Sequence, residues 1–323
     1  MLVISGMNDD HGPVDLQQMR YVVALAEESS FTRAAEKSFV TQSALSHQIA
    51  ALEREIGHRL FVRTSRAVRL TEPGEAFLAH ARIAVRASSD AREAASAAAG
   101  NITGTLRLGV IPTVTAVEVP TVIARFRSMH PNTRVELVVG NSDSLMSDVR
   151  AGRLDAALLG LRAEIEPHGV AASELAREKL VAVVPDDHRL ANRRSIRLSD
   201  LADEVFADFP AGTSGRAQSD AAFADADVPR DVAFEADSAE LILGLVAAGL
   251  AVTLLAAGVP DRSRGGVRII PLRDGPSRVE YLAWDERSTR AVTRAFREVI
   301  GGEPPGNAEA GPEESSEPAP SAS

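Results

Sequence analysis

The sequence predicts an N-terminal all-α winged helix-turn-helix, a long linker helix and then an α/β domain. Three observations carry this. Residues 30–70 hold two short amphipathic helices around a tight turn, followed by an arginine-rich hairpin. Residues 72–100 read as one long helix with small residues at heptad spacing. From Thr105 onward, buried-strand runs alternate with helical segments, the βαβ pattern of a domain with a mainly parallel sheet.

In chain order, residues 14–28 read as a first helix whose inner face is Leu16, Met19, Val22, Val23 and Ala26. Helices over 31–37 and 42–55 follow, joined by a turn at 38–40, with the Thr41 hydroxyl placed to accept an orphaned N–H of the second. In that second helix Leu45, Ile49, Leu52 and Ile56 recur at steps of four, three and four, so they share one buried face. The opposite face near its start carries Gln42, Ser43, Ser46 and His47, short or planar polar side chains able to approach base edges. Over 54–70, Arg54, Arg59, Arg63, Arg66 and Arg69 stand against the single acid Glu55, the local excess that phosphate neutralisation needs. Strands at 59–62 and 68–70 around a turn at 64–67 make a wing, with Arg63 and Arg66 close to a phosphate backbone or minor groove.

Thr71 caps the long helix, and Pro73 sits in its first turn, where a missing N–H is tolerated. Phe77, Ala81, Ala84, Ser88, Ala91, Ala95 and Ala98 form a seam of mostly small residues along which two copies can approach closely. In the α/β half the strands are LRLGVI, RVELVVG, LDAALLGL, KLVAVVP, EVFADFP, DVAFEAD, LAVTLL, VRIIPL and VEYLAW. Helices are expected at 117–129, 144–151, 215–226, from about Ser238, where Asp237 and Glu240 have capping-box spacing, and at 288–300.

Composition narrows the chemistry. The 323 residues contain no cysteine, which removes disulfides, thiol redox sensing and cysteine-ligated zinc; the seven histidines show no metal-binding spacing, so no metal or other cofactor is expected. The net charge of −10 averages a basic N-terminal region with acidic later parts, including residues 301–323, read as a disordered acidic tail with five glutamates and no base. Residues 1–12 lack a secretory signal, and Met7 is an alternative start. The uncharged run 241–259 approaches membrane-spanning length, but Gly249 divides it into a helix and a strand; no membrane association and a cytoplasmic location are expected. No GxxxxGK[ST], GxSxG or GxGxxG occurs, so the chain is not read as an enzyme. Arginine provides all basic residues except Lys37 and Lys179, which with abundant alanine suggests a GC-rich bacterial genome.

The ordered segments FTRAAE, TQSALSHQI, LEREIGHRLF and R-x-x-R-x-V-R-L-T-x-x-G resemble the N-terminal domain of LysR-type transcriptional regulators. GVIPT, GNSDSLMSDVRAGRLDAAL, LVAVVPDDHRLA, FPAGTSGR and LVAAGLAVTLL are similar to successive parts of that family's effector-binding domain. Departures are Ser43 where many members have proline, His47 where many have arginine, and Ala256 and Ala257 where a proline often stands. The resemblance implies DNA-binding residues 14–71, a linker and dimerisation helix at 72–100, and a two-lobed, periplasmic-binding-protein-like effector domain at 104–300. Lobe one would take about 104–162 and 268–300, and lobe two about 163–267. The implied partners are double-stranded DNA, a second copy or three further copies of the chain, and a small-molecule effector.

By the same resemblance Gln42, Ser43, Ser46 and His47 would read bases while Arg63 and Arg66 anchor the wing. Between the lobes, Pro112, Thr113 and Thr115, then Asn141, Ser142 and Ser144, then Phe209, Ala211, Gly212, Thr213 and Ser214, and finally Asp237 and Ser238 should line a ligand cleft. Hydroxyls and helix N-termini there favour a carboxylate or similar small anion, a preference that an inward Asp237 would oppose. Each of these Ser, Thr and Asn residues also suits a plain helix cap, and Arg162 suits either an anion or Glu164. A ligand-independent constitutive DNA-binding regulator and a stand-alone solute-binding protein are the alternative readings.

Overall fold

The computed structural model describes residues 14–63, 68–259, 265–288 and 290–302. The chain divides into two compact units between Ala98 and Ala99. The expectations for the opening residues, for Arg66 and the wing turn, and for the tail beyond Gly302 lie outside the described residues.

The first unit contains α1 (Leu16–Glu28), α2 (Phe31–Lys37), α3 (Gln42–Ile56), β1 (Phe61–Arg63), β2 (Val68–Leu70) and α4 (Glu72–Ala98). α1 begins two residues later than expected because Asp15 and Gln18 form a reciprocal capping box. Ser30 and Thr41 cap α2 and α3 by accepting the N–H groups of Arg33 and Ala44. Tyr21, Val22, Leu25, Phe31, Ala34, Leu45, Ile49, Leu52 and Leu60 form the buried core, with Ile56 half-buried against it. The deepest face of α1 is Tyr21, Val22, Ala24 and Leu25, whereas Leu16, Met19, Val23 and Ala26 are half-buried. β1 starts at Phe61 rather than Arg59, because the Glu53 carboxylate takes the N–H groups of Leu60 (2.8 Å) and Phe61 (3.0 Å) and fixes where the chain leaves α3. β1 and β2 are antiparallel, with Phe61 opposite Leu70 and Arg63 opposite Val68. Thr71 caps α4, accepting from the Gly74 N–H at 3.0 Å. Along α4, Leu78 and Ala81 are buried, while Ala91, Ala95 and Ala98 are exposed.

The second unit contains β3 (Gly104–Val110), α5 (Val119–Met129), β4 (Thr133–Val139), α6 (Ser142–Arg150), β5 (Ala156–Arg162) and the long β6 (Ala171–Pro185). It continues with β7 (Val205–Asp208), α7 (Ser214–Asp225), β8 (Asp231–Glu235), α8 (Ala239–Ala247), β9 (Thr253–Ala256), β10 (Val267–Pro271), β11 (Ser277–Trp284) and α9 (Ala291–Gly301). β10, β6, β11, β5, β3 and β4 lie side by side in that order, with β9 also on β6. The sheet is not mainly parallel. β3 runs parallel to β4 and β5, and β7 parallel to β8, but every pairing of β6 and β11 is antiparallel. The reason is topological: β6 leaves the first lobe and β11 re-enters it running in the opposite direction, each antiparallel to its sheet neighbours.

Each lobe has its own core. Leu106, Leu108, Phe126, Leu158, Leu282 and Phe296 belong to the first, and Val183, Val184, Phe206, Phe223, Leu254 and Ile270 to the second. β6 pairs with β11 through Ala171–Lys179 and with β9 and β10 from Leu180 onward, so the chain crosses near Leu180 and returns between Pro271 and Ser277. These crossings replace the ones expected near Arg162 and Val267. One continuous strand spans both lobes, so the crossing falls inside β6 rather than in the loop before it.

The run 241–259 divides as expected at Gly249, whose φ of +73° suits a helix stop. No helix among the described residues is long and apolar enough to cross a membrane.

Candidate functional site

A cleft of about 340 Å³ lies in the second unit, at the ends of β3 and β5 and at the starts of α6 and α7. Its apolar walls include Ile111, Val139, Leu180, Phe209, Leu254 and Leu255. Its polar lining comes from Thr113, Asn141, Ser142, Thr213, Gln218, Asp237 and Arg278. Local chemistry places these groups. Asn141 and Thr213 are the N-caps of α6 and α7, so the helix starts that need a side-chain acceptor face the opening. α6 begins at Ser142, two residues before its expected start, because Asn141 is the cap.

Of the residues expected here, Thr113, Asn141, Ser142, Phe209 and Thr213 line the cleft, as does Pro112. Thr115, Gly212 and Ser238 do not. Thr115 lies behind the wall, its hydroxyl 2.7 Å from an oxygen of both Glu178 and Glu280. Gly212 makes the turn before α7 at a φ of +80°, and Ser238 is spent capping α8. Ser238 takes the capping role expected of Asp237, and Asp237 lines the cleft instead. Ala256, one of the departures from the family pattern, closes β9 opposite Leu180 and also lines the cleft.

The cation of the cleft is Arg278, not Arg162. Arg162 ends β5, pairs with Glu164 at 3.4 Å and faces a separate groove shared with Arg197 and Asp274. Arg278 is 3% exposed and directly opposite Glu178 across β6 and β11. Its guanidinium donates to Glu178 (2.9 Å), to the hydroxyl of Thr113 (2.9 Å) and its carbonyl (2.6 Å), and to Glu280. Glu280 is 1% exposed and also accepts the N–H groups of Thr115 and Ala116 at 3.0 Å. Arg278, Glu280 and Glu178 escaped the sequence reading. Their signal was two charges at i and i+2 within the apolar strand VEYLAW and its preceding residues, which places both on one strand face.

The two lobes are tied across this region. Asp143 on α6 accepts both the N–H (3.1 Å) and the hydroxyl (2.6 Å) of Ser214 on α7. The buried Gln218 of α7 donates to the Gly160 carbonyl of β5 at 3.3 Å, and Ser142 both donates to and accepts from Gly160 at 3.0 Å.

In the first unit the other candidate surface is the start of α3. Gln42, Ser43 and His47 are exposed and Ser46 is half-buried, on the side opposite the buried Leu45, Ile49 and Leu52. Ser43 lies 3.1 Å from the capping hydroxyl of Thr41. The backbone of Arg63 ends β1. Phe39, in the turn before α3, is 96% exposed at a φ of +54°.

Two family profiles match the chain: "Bacterial regulatory helix-turn-helix protein, lysR family" over residues 16–75 and "LysR substrate binding domain" over residues 99–304. The "Hydrogen peroxide-inducible genes activator" of Escherichia coli O157:H7 is 34% identical over 274 residues, covering 84% of this chain and 89% of that protein. Among solved structures, a full-length OxyR point variant from Pseudomonas aeruginosa aligns with a TM-score of 0.69 at 28% identity, covering 90% of this chain and 94% of that one. Full-length CbnR complexed with its target DNA shares the fold at a TM-score of 0.66 and 22% identity, covering 89% and 99%. With a helix-turn-helix whose polar residues lie opposite its buried stripe, an effector-type domain with a formed cleft, and both profiles in this order, the chain belongs to the LysR family of DNA-binding transcription regulators.

Proposed function

We propose that this regulator binds a two-fold related DNA site as a dimer or dimer of dimers, and that a small molecule held between the lobes of its second unit alters those DNA contacts. The observation that carries the DNA half is the first turn and a half of α3, where Gln42, Ser43, Ser46 and His47 face away from a fully buried stripe. Arg63 and Arg66 flank this surface in sequence and would anchor the wing on phosphates. The exposed Ala91, Ala95 and Ala98 of α4 offer a second copy a surface on which helices approach closely. The ligand half rests on the cleft with its apolar walls and convergent polar groups. The protein works in the cytoplasm, where the DNA is, and carries out no catalysis.

The relatives named for hydrogen peroxide do not set the signal for this chain. It contains no cysteine, so thiol oxidation is not its means of response.

The test is anisotropy with the DNA upstream of its own gene, over a series of salt concentrations. Gln42→Ala should relax sequence preference by about 1–3 kcal/mol at the base it meets. Arg66→Ala should weaken binding to all sequences and lower the salt slope by about 1. Unchanged affinity in both variants would refute the assignment.

A further inference from the structure

Resting on the reading of the cleft as the ligand site, we propose that the effector is a small molecule with an apolar body and a positively charged nitrogen, and that Asp237 receives that charge.

Charge at the cleft decides this. Among the described residues Arg278 is the one cation lining it, and Arg278 is already committed. Two carboxylates, Glu178 and Glu280, hold the guanidinium from behind, and the Thr113 hydroxyl and carbonyl take further N–H groups. Three charges in contact thus sum to one negative, so the cluster offers an incoming carboxylate no net attraction. A ligand carboxylate would also have to compete with Glu178 and Glu280 for donors that those side chains hold with strand-fixed geometry. Two of the hydroxyls that suggested an anion have no hydrogen left for one. Ser142 donates to the Gly160 carbonyl while accepting its N–H, and Thr213 donates to the Pro210 carbonyl while accepting from Arg216.

Asp237 is the opposite case. It lines the cleft, is exposed, and has no hydrogen-bond or ion-pair partner among the described residues. The cap it might have supplied to α8 comes from Ser238. A carboxylate left free beside apolar walls is an acceptor for an ammonium or guanidinium group. The pair would be only partly solvated there, so it would bind more strongly than at an open surface. The walls of Ile111, Val139, Leu180, Leu254 and Leu255, with Phe209, would cover the apolar body.

The experiment compares three probes of one shape, benzylamine, benzyl alcohol and benzoate, titrated calorimetrically into the full-length protein. Benzylamine should bind about tenfold more tightly than benzoate, with benzyl alcohol between them. Asp237→Asn should bring benzylamine down to the level of benzyl alcohol and leave benzyl alcohol unchanged. The variant removes no contact of the fold, so it tests the charge and not the folding. Glu240→Gln, which removes an exposed acid of the same α8 start that does not line the cleft, should keep the wild-type order. Benzoate binding as tightly as benzylamine would overturn the proposal while leaving the cleft as a ligand site. A preference for benzylamine that survives Asp237→Asn would overturn it too. Failure of all three probes to bind would overturn it together with the reading of the cleft.

Discussion

Gly74→Ala should loosen the DNA-binding unit, although alanine is the better helix former. Gly74 is the third residue of α4, and a Cβ built on it would lie 2.0 Å from the Leu60 carbonyl oxygen, 2.9 Å from its carbon and 3.1 Å from Leu70 Cδ2. The obstacle is backbone, and it is held from several sides. The Leu60 side chain is fully buried, its N–H is on Glu53, and its carbonyl accepts the Thr71 N–H at 3.0 Å. Alanine adds at most about 1 kcal/mol of helix propensity. Against this, forced overpacking costs about 1–3 kcal/mol, and loss of the Thr71 to Leu60 hydrogen bond a further 0.5–1.5 kcal/mol or so. The balance is a net loss of about 2 kcal/mol, located where α4 meets the wing.

Amide hydrogen exchange in α3 of the full-length protein should register that loss. The single tryptophan, Trp284, lies in the second unit and its unfolding signal should be unchanged, which gives an internal control. Gly57→Ala is the comparison: Gly57 sits at a φ of +79° with nothing within 4 Å of the added carbon, so it should lose only the conformational cost of about 1 kcal/mol. Protection of α3 that is equal to or greater than wild type in Gly74→Ala would refute the close-approach argument.

Glu53→Ala should destabilise the first unit by about 1–3 kcal/mol by leaving the Leu60 and Phe61 N–H groups without their acceptor; Glu53→Gln, which keeps one carbonyl oxygen, should lose less, as read by the same exchange experiment. Burial pushes the Asp208 carboxyl above its ordinary value of 3.8, against the opposing pull of the Arg230 guanidinium beside it. The folded chain therefore holds a proton there more tightly than the unfolded chain, so this group's contribution to stability rises as pH falls through its raised value towards 3.8 and is lost above that window. Urea denaturation of wild type and Asp208→Asn over a pH series should show wild type gaining relative to the variant on acidification; the opposite slope would mean that Arg230 outweighs desolvation.

The sequence was most legible where the determining interaction is local. Thr41 and Thr71 cap the helices that follow them, as their positions predict, and their partners are three residues away. It was least legible in β6, whose first half, AASELAREK, mixes exposed and half-buried residues without a regular alternation and carries four charges. Nothing in that stretch marks it as strand; it is held extended by its ladder with β11, about a hundred residues away. The same distance hid the charge cluster of the cleft, since Arg278 and Glu178 meet only through that pairing. Asp237 failed for a different reason. Aspartate and serine stand side by side before α8, either can cap a helix, and the register is decided by the backbone of Ser238, at φ −108° and ψ 118°.

The crossing strand also constrains how a ligand can act. β6 runs through both lobes, and Arg278 of β11 is held to it by Glu178 where it lines the cleft. On the other side, the Asp143 to Ser214 and Gln218 to Gly160 contacts tie the starts of α6 and α7 and the end of β5 together. A ligand that widens the cleft must break these contacts, at a cost of about 0.5–1.5 kcal/mol for each hydrogen bond lost. One that merely fills it leaves them intact. A ligand shifts an equilibrium only by its difference in affinity for the two arrangements. A molecule that bridges from Asp237 to the β3 and α6 side would therefore favour the tied arrangement, because only there do both of its ends find a partner. Cutting the tie with Asp143→Ala should then lower the affinity of a bridging ligand and leave that of a ligand confined to one lobe unchanged.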